Sequence, residues 1–305
     1  MILTVGATGH LGGAIVDELC RRGKPVRCLV RKDADISKLT AASVEIVYGD
    51  VRDRASLSQA VQGVQAIIST FSTRILKERR VSALWENDYE GNLSLIKRAQ
   101  EAGVKKYIFA SYWGLAKFGN FEHGRIKKHV EDLLIVSGID YTVFRITTLA
   151  TDLSILLGNR LQRKGWAPMF MKREEKVRPI LPEDLAWCIA DALDNPKAAR
   201  RIIEVAGEEE YTFLELQHLF SRCLGRNVSF VFIPPNVARF LASCIDFVTN
   251  DVYNAKGLVS AFTGGSTCDI KEMHQIFAIR QGSFARHLED YLKTGNIITQ
   301  PSQIP

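Results

Sequence analysis

Short apolar runs alternate with amphipathic stretches along the first half of the chain. The runs that read as strands start at Ile2, before Gly6, and continue as Val26–Val30, Val44–Asp50, Ala66–Thr70, Lys106–Ser111 and Tyr141–Arg145. Between them, apolar residues recur with helical period over Leu11–Arg22, Leu84–Ala102 and Arg125–Val136. Gly103 and Gly138 follow the last two as helix stops. Strands that are apolar throughout, separated by amphipathic helices, predict an α/β fold with a doubly wound parallel sheet covered on both faces.

Beyond Arg145 the pattern loosens. The segment Thr147–Arg178, with Trp166-Ala167-Pro168-Met169-Phe170 inside it, is expected to help form a smaller substrate lobe. Pro182-Glu183-Asp184 opens another helix, and Ile202–Gly207 reads as a further strand of the main sheet. The expected division is therefore a first domain over 1–150, its sheet completed by 179–207, and a smaller α/β lobe over 151–305 with helices near Thr212–Leu224 and Ser283–Lys293. Val237–Val248 is apolar around much of its circumference but carries Arg239 and Asp246. It is read mainly as a helix packed on the domain, with an interfacial or partner-binding role as the lesser reading. Thr299–Pro305 reads as a disordered tail.

A chain of 305 residues with a net charge of +6 spread along its length has no basic block of the kind that tracks nucleic acid. Its six cysteines form no CxxC pair and no Cys/His cluster at metal spacing, so buried reduced thiols are expected. No apolar run is long enough to span a membrane, and the first strand starts at Ile2 without a leader, which together predict a cytoplasmic setting. A homo-oligomer is compatible with this composition but not specified by it.

The chemistry starts at Thr4-Val5-Gly6-Ala7-Thr8-Gly9-His10-Leu11-Gly12. Three glycines between a strand and a helix make a nucleotide-binding turn: Gly6 reverses the chain, Gly9 admits a pyrophosphate, and Gly12 lets helix and strand pack closely. The N–H groups and dipole of the helix that follows favour an anion. After the second strand, where a carboxylate would select NAD, stand Arg31 and Lys32. A guanidinium and an ammonium there attract a 2′-phosphate, which predicts NADP(H).

The glycine turn, Gly49-Asp50-Val51-Arg52-Asp53, Asp88-Tyr89-Glu90-Gly91-Asn92, Lys105–Ser111 and Ser137–Arg145 resemble the short-chain dehydrogenase/reductase superfamily. More narrowly, the chain is similar to its atypical NmrA-like branch, which contains isoflavone-reductase-like and quinone-reductase enzymes, NADP-sensing regulators and photosystem assembly factors. The resemblance covers about residues 1–146 in detail and implies a Rossmann-type domain. It also implies that Asp50 and Val51 meet the adenine end, and that Ser69, Thr70 and Phe71 line the cofactor groove.

Ordinary members of that superfamily use Ser, Tyr and Lys, the last two as YxxxK on one helix face. This chain has no tyrosine four residues before a lysine. Ser111 is followed by His123-Gly124-Arg125-Ile126-Lys127, so Lys127 takes the lysine position and His123 that of the tyrosine. His123, Lys127 and Ser111 are the candidate catalytic residues, although a surface-loop histidine is an equal reading of His123. Tyr112 and Trp113 could stack on a planar ligand or simply pack. Ile146 stands where many relatives have proline. Two functions remain open. One is an NADPH-dependent oxidoreductase acting on a small planar carbonyl, quinone or enone. The other is an NADP(H)-binding regulatory, redox-sensing or assembly protein whose lobe meets a protein partner.

Overall fold

The computed structural model describes residues 1–37, 39, 44–73, 80–115, 121–249, 255, 259, 264–278 and 282–294. Seven parallel strands form the main sheet: β1 (Ile2–Val5), β2 (Val26–Val30), β3 (Val44–Tyr48), β4 (Ala66–Ser69), β5 (Lys106–Tyr112), β6 (Asp140–Ile146) and β7 (Arg201–Val205). Their spatial order is β7-β6-β5-β4-β1-β2-β3. The chain runs outward from β1 to β3, then crosses to β4 on the other side of β1. Ligands in such sheets sit outside the carboxyl ends of the strands at this switch point. The register aligns those ends: Val5 lies opposite Leu29 and Ser69, and Ser69 opposite Phe109.

Helices cover both faces, as continuously apolar strands require. On one side lie α1 (His10–Arg21) and, later in the chain, α6 (Pro182–Asp191), whose Ile15, Leu19, Leu185 and Ile189 share a core with Ile108 and Phe144. On the other lie α2 (Arg54–Ala60), α3 (a continuous run of Val81–Leu84, Trp85–Glu90 and Gly91–Glu101) and α4 (Glu122–Val136). Leu57, Leu95, Val130 and Leu134 of these helices bury against Phe109 and Val143.

A third core belongs to the lobe. There α5 (Ala150–Leu153, Ser154–Gly158 and Asn159–Lys164), α7 (Phe213–Leu224) and α10 (Phe284–Thr294) bring Leu157, Leu161, Phe220 and Leu288 together. Thr212 and Glu215 cap α7 with a reciprocal capping box. Two further helices, α8 (Pro235–Thr249) and α9 (Lys271–Ile276), precede α10.

Three local differences from the sequence expectations bear on function. The middle of α3, Trp85–Glu90, is a π-turn, which changes the faces its side chains occupy. The helix expected from Arg125 starts at Glu122, so His123 lies within the first turn of α4 and is buried rather than in a surface loop. Finally, α8 turns Ala238 and Ala242 inward but leaves Val237, Phe240 and Leu241 about half exposed or more, so its larger apolar side chains are not packed on the domain. Of the six cysteines, all free, Cys28 and Cys188 are buried and Cys244 is exposed. The expected tail at Thr299–Pro305 lies outside the described residues.

Candidate cofactor and proton-transfer site

At the carboxyl end of β1, backbone makes the binding surface. Gly6 has φ +93, and a Cβ there would stand 2.7 Å from the Phe71 nitrogen and from Thr70 Oγ1. A Cβ on Gly12 would lie 2.1 Å from the Gly6 carbonyl oxygen, so only glycine lets α1 meet the turn. Gly9 is the N-cap of α1, with no side chain capping the helix and no acid in its first turn. A Cβ on Gly9 would meet only the Gly6 oxygen, at 3.3 Å. An uncapped helix start beside a glycine surface fits a phosphate.

The other expected cofactor residues distribute around this turn. Thr70 Oγ1 donates to the Val5 carbonyl at 3.2 Å. Val51 sits beneath Gly91, whose absent side chain also leaves room for the Phe71 ring. Thr8 and His10 are exposed, and His10 Nδ1 lies 3.9 Å from Asp152 of α5, linking the turn to the lobe. Leu11 is buried in the core with Ile15, so only its backbone faces the groove side of α1. Arg31 and Lys32 are exposed past β2. Asp50 is engaged by Arg52, which donates to it from its backbone and guanidinium at 2.8–2.9 Å. These bonds lower the Asp50 pKa despite partial burial. Ser69 is buried and donates to Asn92 Oδ1 at 2.9 Å, so its hydroxyl ties β4 to α3.

A second cluster, built from side chains, lies past the ends of β4 and β5. His123 Nε2 and Asp88 Oδ2 are 2.5 Å apart, each residue about 1% exposed. The Asp88 carboxylate also accepts from the Thr73 backbone and hydroxyl, each at 2.8 Å, and from Ser72 Oγ at 3.3 Å. Burial alone would raise the Asp88 pKa, but the His123 hydrogen bond and the charges of His123 and Lys127 outweigh it and hold it low. Ser72, His123 and Asp88 do not form a hydrolytic triad. Ser72 lies 2.8 Å from the same Nε2 that meets Asp88, and the opposite nitrogen, Nδ1, is buried with no hydrogen-bond partner among the described residues.

One turn along α4, Lys127 is about 2% exposed and donates to the Ala110 carbonyl at 3.1 Å. Its Nζ lies over the Phe109 ring at 4.6 Å and 5.6 Å from the Tyr112 ring centre. Burial lowers its pKa to about 8, against the opposing influence of Asp88 and Glu131. Tyr112 packs edge-on to His123 at 5.5 Å, and burial pushes its phenol up to about 12. Ser111, by contrast, donates to Glu131 at 2.7 Å, and Glu131 is further held by Arg145 at 2.6 and 3.1 Å.

The structure therefore brings His123, Lys127 and Tyr112 together and commits the Ser111 hydroxyl to a buried ion-pair network. Sequence reasoning assigned no role to Asp88, Ser72, Thr73, Glu131 or Arg145. A signal existed for part of this set: His123, Lys127 and Glu131 recur every four residues along the face of α4 that also buries Ile126, Val130 and Leu134. Asp88 and Asn92 are likewise four apart and buried on α3.

Sheet order, glycine turn and flanking helices define a Rossmann-type domain of the short-chain dehydrogenase/reductase kind. A profile of the NmrA-like family matches residues 1–279, and the chain belongs to that family. It is 26% identical to the photosystem II assembly factor Ycf39 of Synechocystis sp., over 99% of this chain and 93% of that protein. Ycf39 of Cyanophora paradoxa is 34% identical over 76% of this chain and 71% of its own length. Among solved structures, the NADPH-dependent quinone oxidoreductase QOR2 of Escherichia coli, complexed with NADPH, superposes with a TM-score of 0.75 at 19% identity. That match covers 95% of this chain and 99% of the oxidoreductase.

Proposed function

We propose that this chain binds NADP(H) across the glycine turn and reduces a small planar carbonyl, quinone or enone, with Lys127 holding the proton the acceptor takes up. When bound, the cofactor supplies the hydride. Gly6, Thr8, Gly9, His10, Leu11 and Gly12 would hold the pyrophosphate through backbone N–H groups, and Arg31 and Lys32 the 2′-phosphate. Asp50 and Val51 would flank the adenine, while Ser69, Thr70 and Phe71 would border the nicotinamide half.

The observation that carries the reading is Lys127: a buried ammonium, its pKa brought to about 8, on the helix beside the end of β5. A group titrating near neutrality is a suitable proton donor, since it holds the proton and still releases it. In one turnover the acceptor gains hydride and the proton from Nζ, and neutral Lys127 then regains a proton from water. Asp88 fixes the His123 ring, which packs edge-on to Tyr112 beside Lys127. Ser111 acts on the acceptor only if its bond to Glu131 opens, so its part is to position β5 against α4 and β6.

The second reading, an NADP(H)-binding regulatory or assembly protein, draws on one feature of the same cluster. His123 stands at the tyrosine position with Nε2 taken up by Asp88 and Ser72, an arrangement that holds structure without donating a proton. The relatives named as assembly factors support it as well.

The experiment is NADPH oxidation against a panel of quinones and enones, after NADPH binding is established by fluorescence. Turnover above the cofactor's own background, abolished in Lys127→Met with NADPH still bound, supports the reductase. Turnover unchanged in that variant removes Lys127 as the proton source. Tight binding with no turnover on any acceptor favours the regulatory reading. His123→Phe with unchanged turnover would take histidine out of the chemistry.

A further inference from the structure

The lobe carries an apolar surface that the groove does not use. On α8 the larger side chains point outward: Val237 is 47% exposed, Phe240 67% and Leu241 51%, at helical spacing, while Ala238 and Ala242 pack inward. The helix follows, after only Ile233 and Pro234, a two-stranded ribbon in which Ser229–Phe232 pairs with Trp166–Met169. Alternation along that ribbon buries Ala167, Met169 and Phe230 and leaves Trp166 and Val231 over 40% exposed. Exposed large apolar residues gathered on a helix and the ribbon leading into it mark an interaction surface.

Charge identifies its partner. From Leu153 to Arg173 and from Leu216 to Ile245, the two segments that make up the ribbon and the first three turns of α8, there is no aspartate or glutamate, and Asp246 follows only in the last turn of that helix. They contain Arg160, Arg163 and Lys164 on the end of α5, and Arg226 and Arg239 around α8. Arg160 lies over the exposed Trp166 ring at 4.4 Å. A second copy docked face to face would bring these cations against one another, because a two-fold interface is self-complementary. An anionic partner is required instead. Aromatic and aliphatic side chains standing between cations, on an outward-facing helix that needs no groove, match the interface of a bilayer with acidic headgroups.

We infer that the outer face of α8 and the Trp166/Val231 ribbon form a peripheral docking surface for an anionic lipid bilayer. Phe240, Leu241, Val237 and Trp166 enter the headgroup–acyl boundary, and Arg160, Arg163, Lys164 and Arg239 meet the headgroups. The lobe lies against the bilayer without spanning it, in keeping with the lack, among the described residues, of any helix long and apolar enough to cross a membrane.

The test is co-sedimentation of the full chain with phosphatidylcholine vesicles with and without phosphatidylglycerol, at low and high salt, alongside light scattering of the free protein. The expected result is partition into the phosphatidylglycerol vesicles only, weakened by salt. Phe240→Asp with Leu241→Asp, and separately Arg160→Glu with Arg163→Glu, should each lower that partition roughly tenfold or more. Far-UV circular dichroism and NADPH fluorescence in both variants report whether the fold and groove persist. No sedimentation of the folded wild type with acidic vesicles overturns the proposal. So does a wild-type dimer in solution that Phe240→Asp dissociates, since the face would then be covered by a second copy. Equal binding to both vesicle types also refutes it, because the cations would then play no part.

Discussion

The two ends of the groove are built in opposite ways. At the β1 end the surface is backbone: three glycines, an uncapped helix start and the threonine hydroxyl of Thr70 returned to the Val5 carbonyl. At the β5 end it is side chain, with Asp88, His123, Lys127 and Glu131 each less than 3% exposed, Asp88 and His123 bonded to each other, Lys127 to the Ala110 carbonyl and Glu131 to Ser111 and Arg145. A backbone surface recognises phosphate by shape and dipole and titrates nothing. Buried ionisable groups cost desolvation energy, need hydrogen-bond or charge partners to offset it, and change charge with pH. In the proposed reading, binding and proton handling are thereby separated along one sheet edge, and mutations at the two ends should fail differently.

The largest effect is expected at Asp88. Its carboxylate accepts from His123, Thr73 and Ser72 in a site closed to water. Asp88→Ala strands those donors and should lower unfolding free energy by about 3–5 kcal/mol, the usual result of breaking a buried charge pair. Because its folded pKa is depressed, Asp88 contributes stability above its unfolded value near 3.8 and loses it as pH falls through the folded value. Urea denaturation of wild type and variant should therefore converge in acid. A difference that stays constant down to low pH would show that Asp88 acts as packing alone.

At the backbone end, Gly12→Ala drives a Cβ into the Gly6 carbonyl and should cost about 1–3 kcal/mol together with NADPH binding. Gly9→Ala separates the two losses. Its Cβ meets only the Gly6 oxygen at 3.3 Å, so stability should change little while NADPH affinity falls. Fluorescence titration beside thermal melts reads both. Undiminished affinity in Gly9→Ala would remove the pyrophosphate from this turn.

Lys127 tests the same contrast with the opposite sign. A lysine whose pKa falls from 10.5 to about 8 on folding carries a cost that is full below pH 8 and fades as pH rises to 10.5. Lys127→Met keeps the volume and removes the charge. The variant should be more stable than wild type by about 2 kcal/mol at pH 7, with the gap closing towards pH 10. In the reductase reading, kcat/KM of the wild type falls as pH rises through about 8, because the proton to be given is lost. A variant less stable at pH 7 would mean that the bond to the Ala110 carbonyl and the attraction of the Asp88 and Glu131 charges outweigh burial.

How much could be read from sequence follows the same division. The glycine turn is contiguous, and parallel strands announce themselves as unbroken apolar runs, so the sheet, its helices and the glycine turn at the end of β1 are legible in the sequence. That Lys127 and His123 share one helix face is legible from their four-residue spacing, and the structure buries both there. Asp88 escaped because its orientation depends on the π-turn Trp85–Glu90, which no periodicity reveals. The Ser111–Glu131 bond joins residues 20 apart on different elements and exists only after β5 meets α4. The outward face of α8 is only the lesser of two readings in sequence, because an apolar helix reads the same whichever way it turns.

The smallest effect is expected at Arg31, and it decides how the backbone end chooses its cofactor. The side chain is 69% exposed and its nearest acidic partner, Asp33, is 3.7 Å away, so Arg31→Ala should leave stability within about 0.5 kcal/mol of wild type. A guanidinium free to move can still form a forked bond to a 2′-phosphate, a contact whose loss weakens binding by about tenfold or more. NADH has no such phosphate, so its affinity should not change. Arg52 is close by but is held on Asp50 by three bonds, which leaves Arg31 and Lys32, among the described residues following β2, to turn towards a 2′-phosphate. Titration of both cofactors against Arg31→Ala and Lys32→Ala resolves their shares. Equal weakening of NADPH and NADH would mean that these cations raise the local potential without reading the phosphate, and the preference would then have to arise elsewhere in the groove.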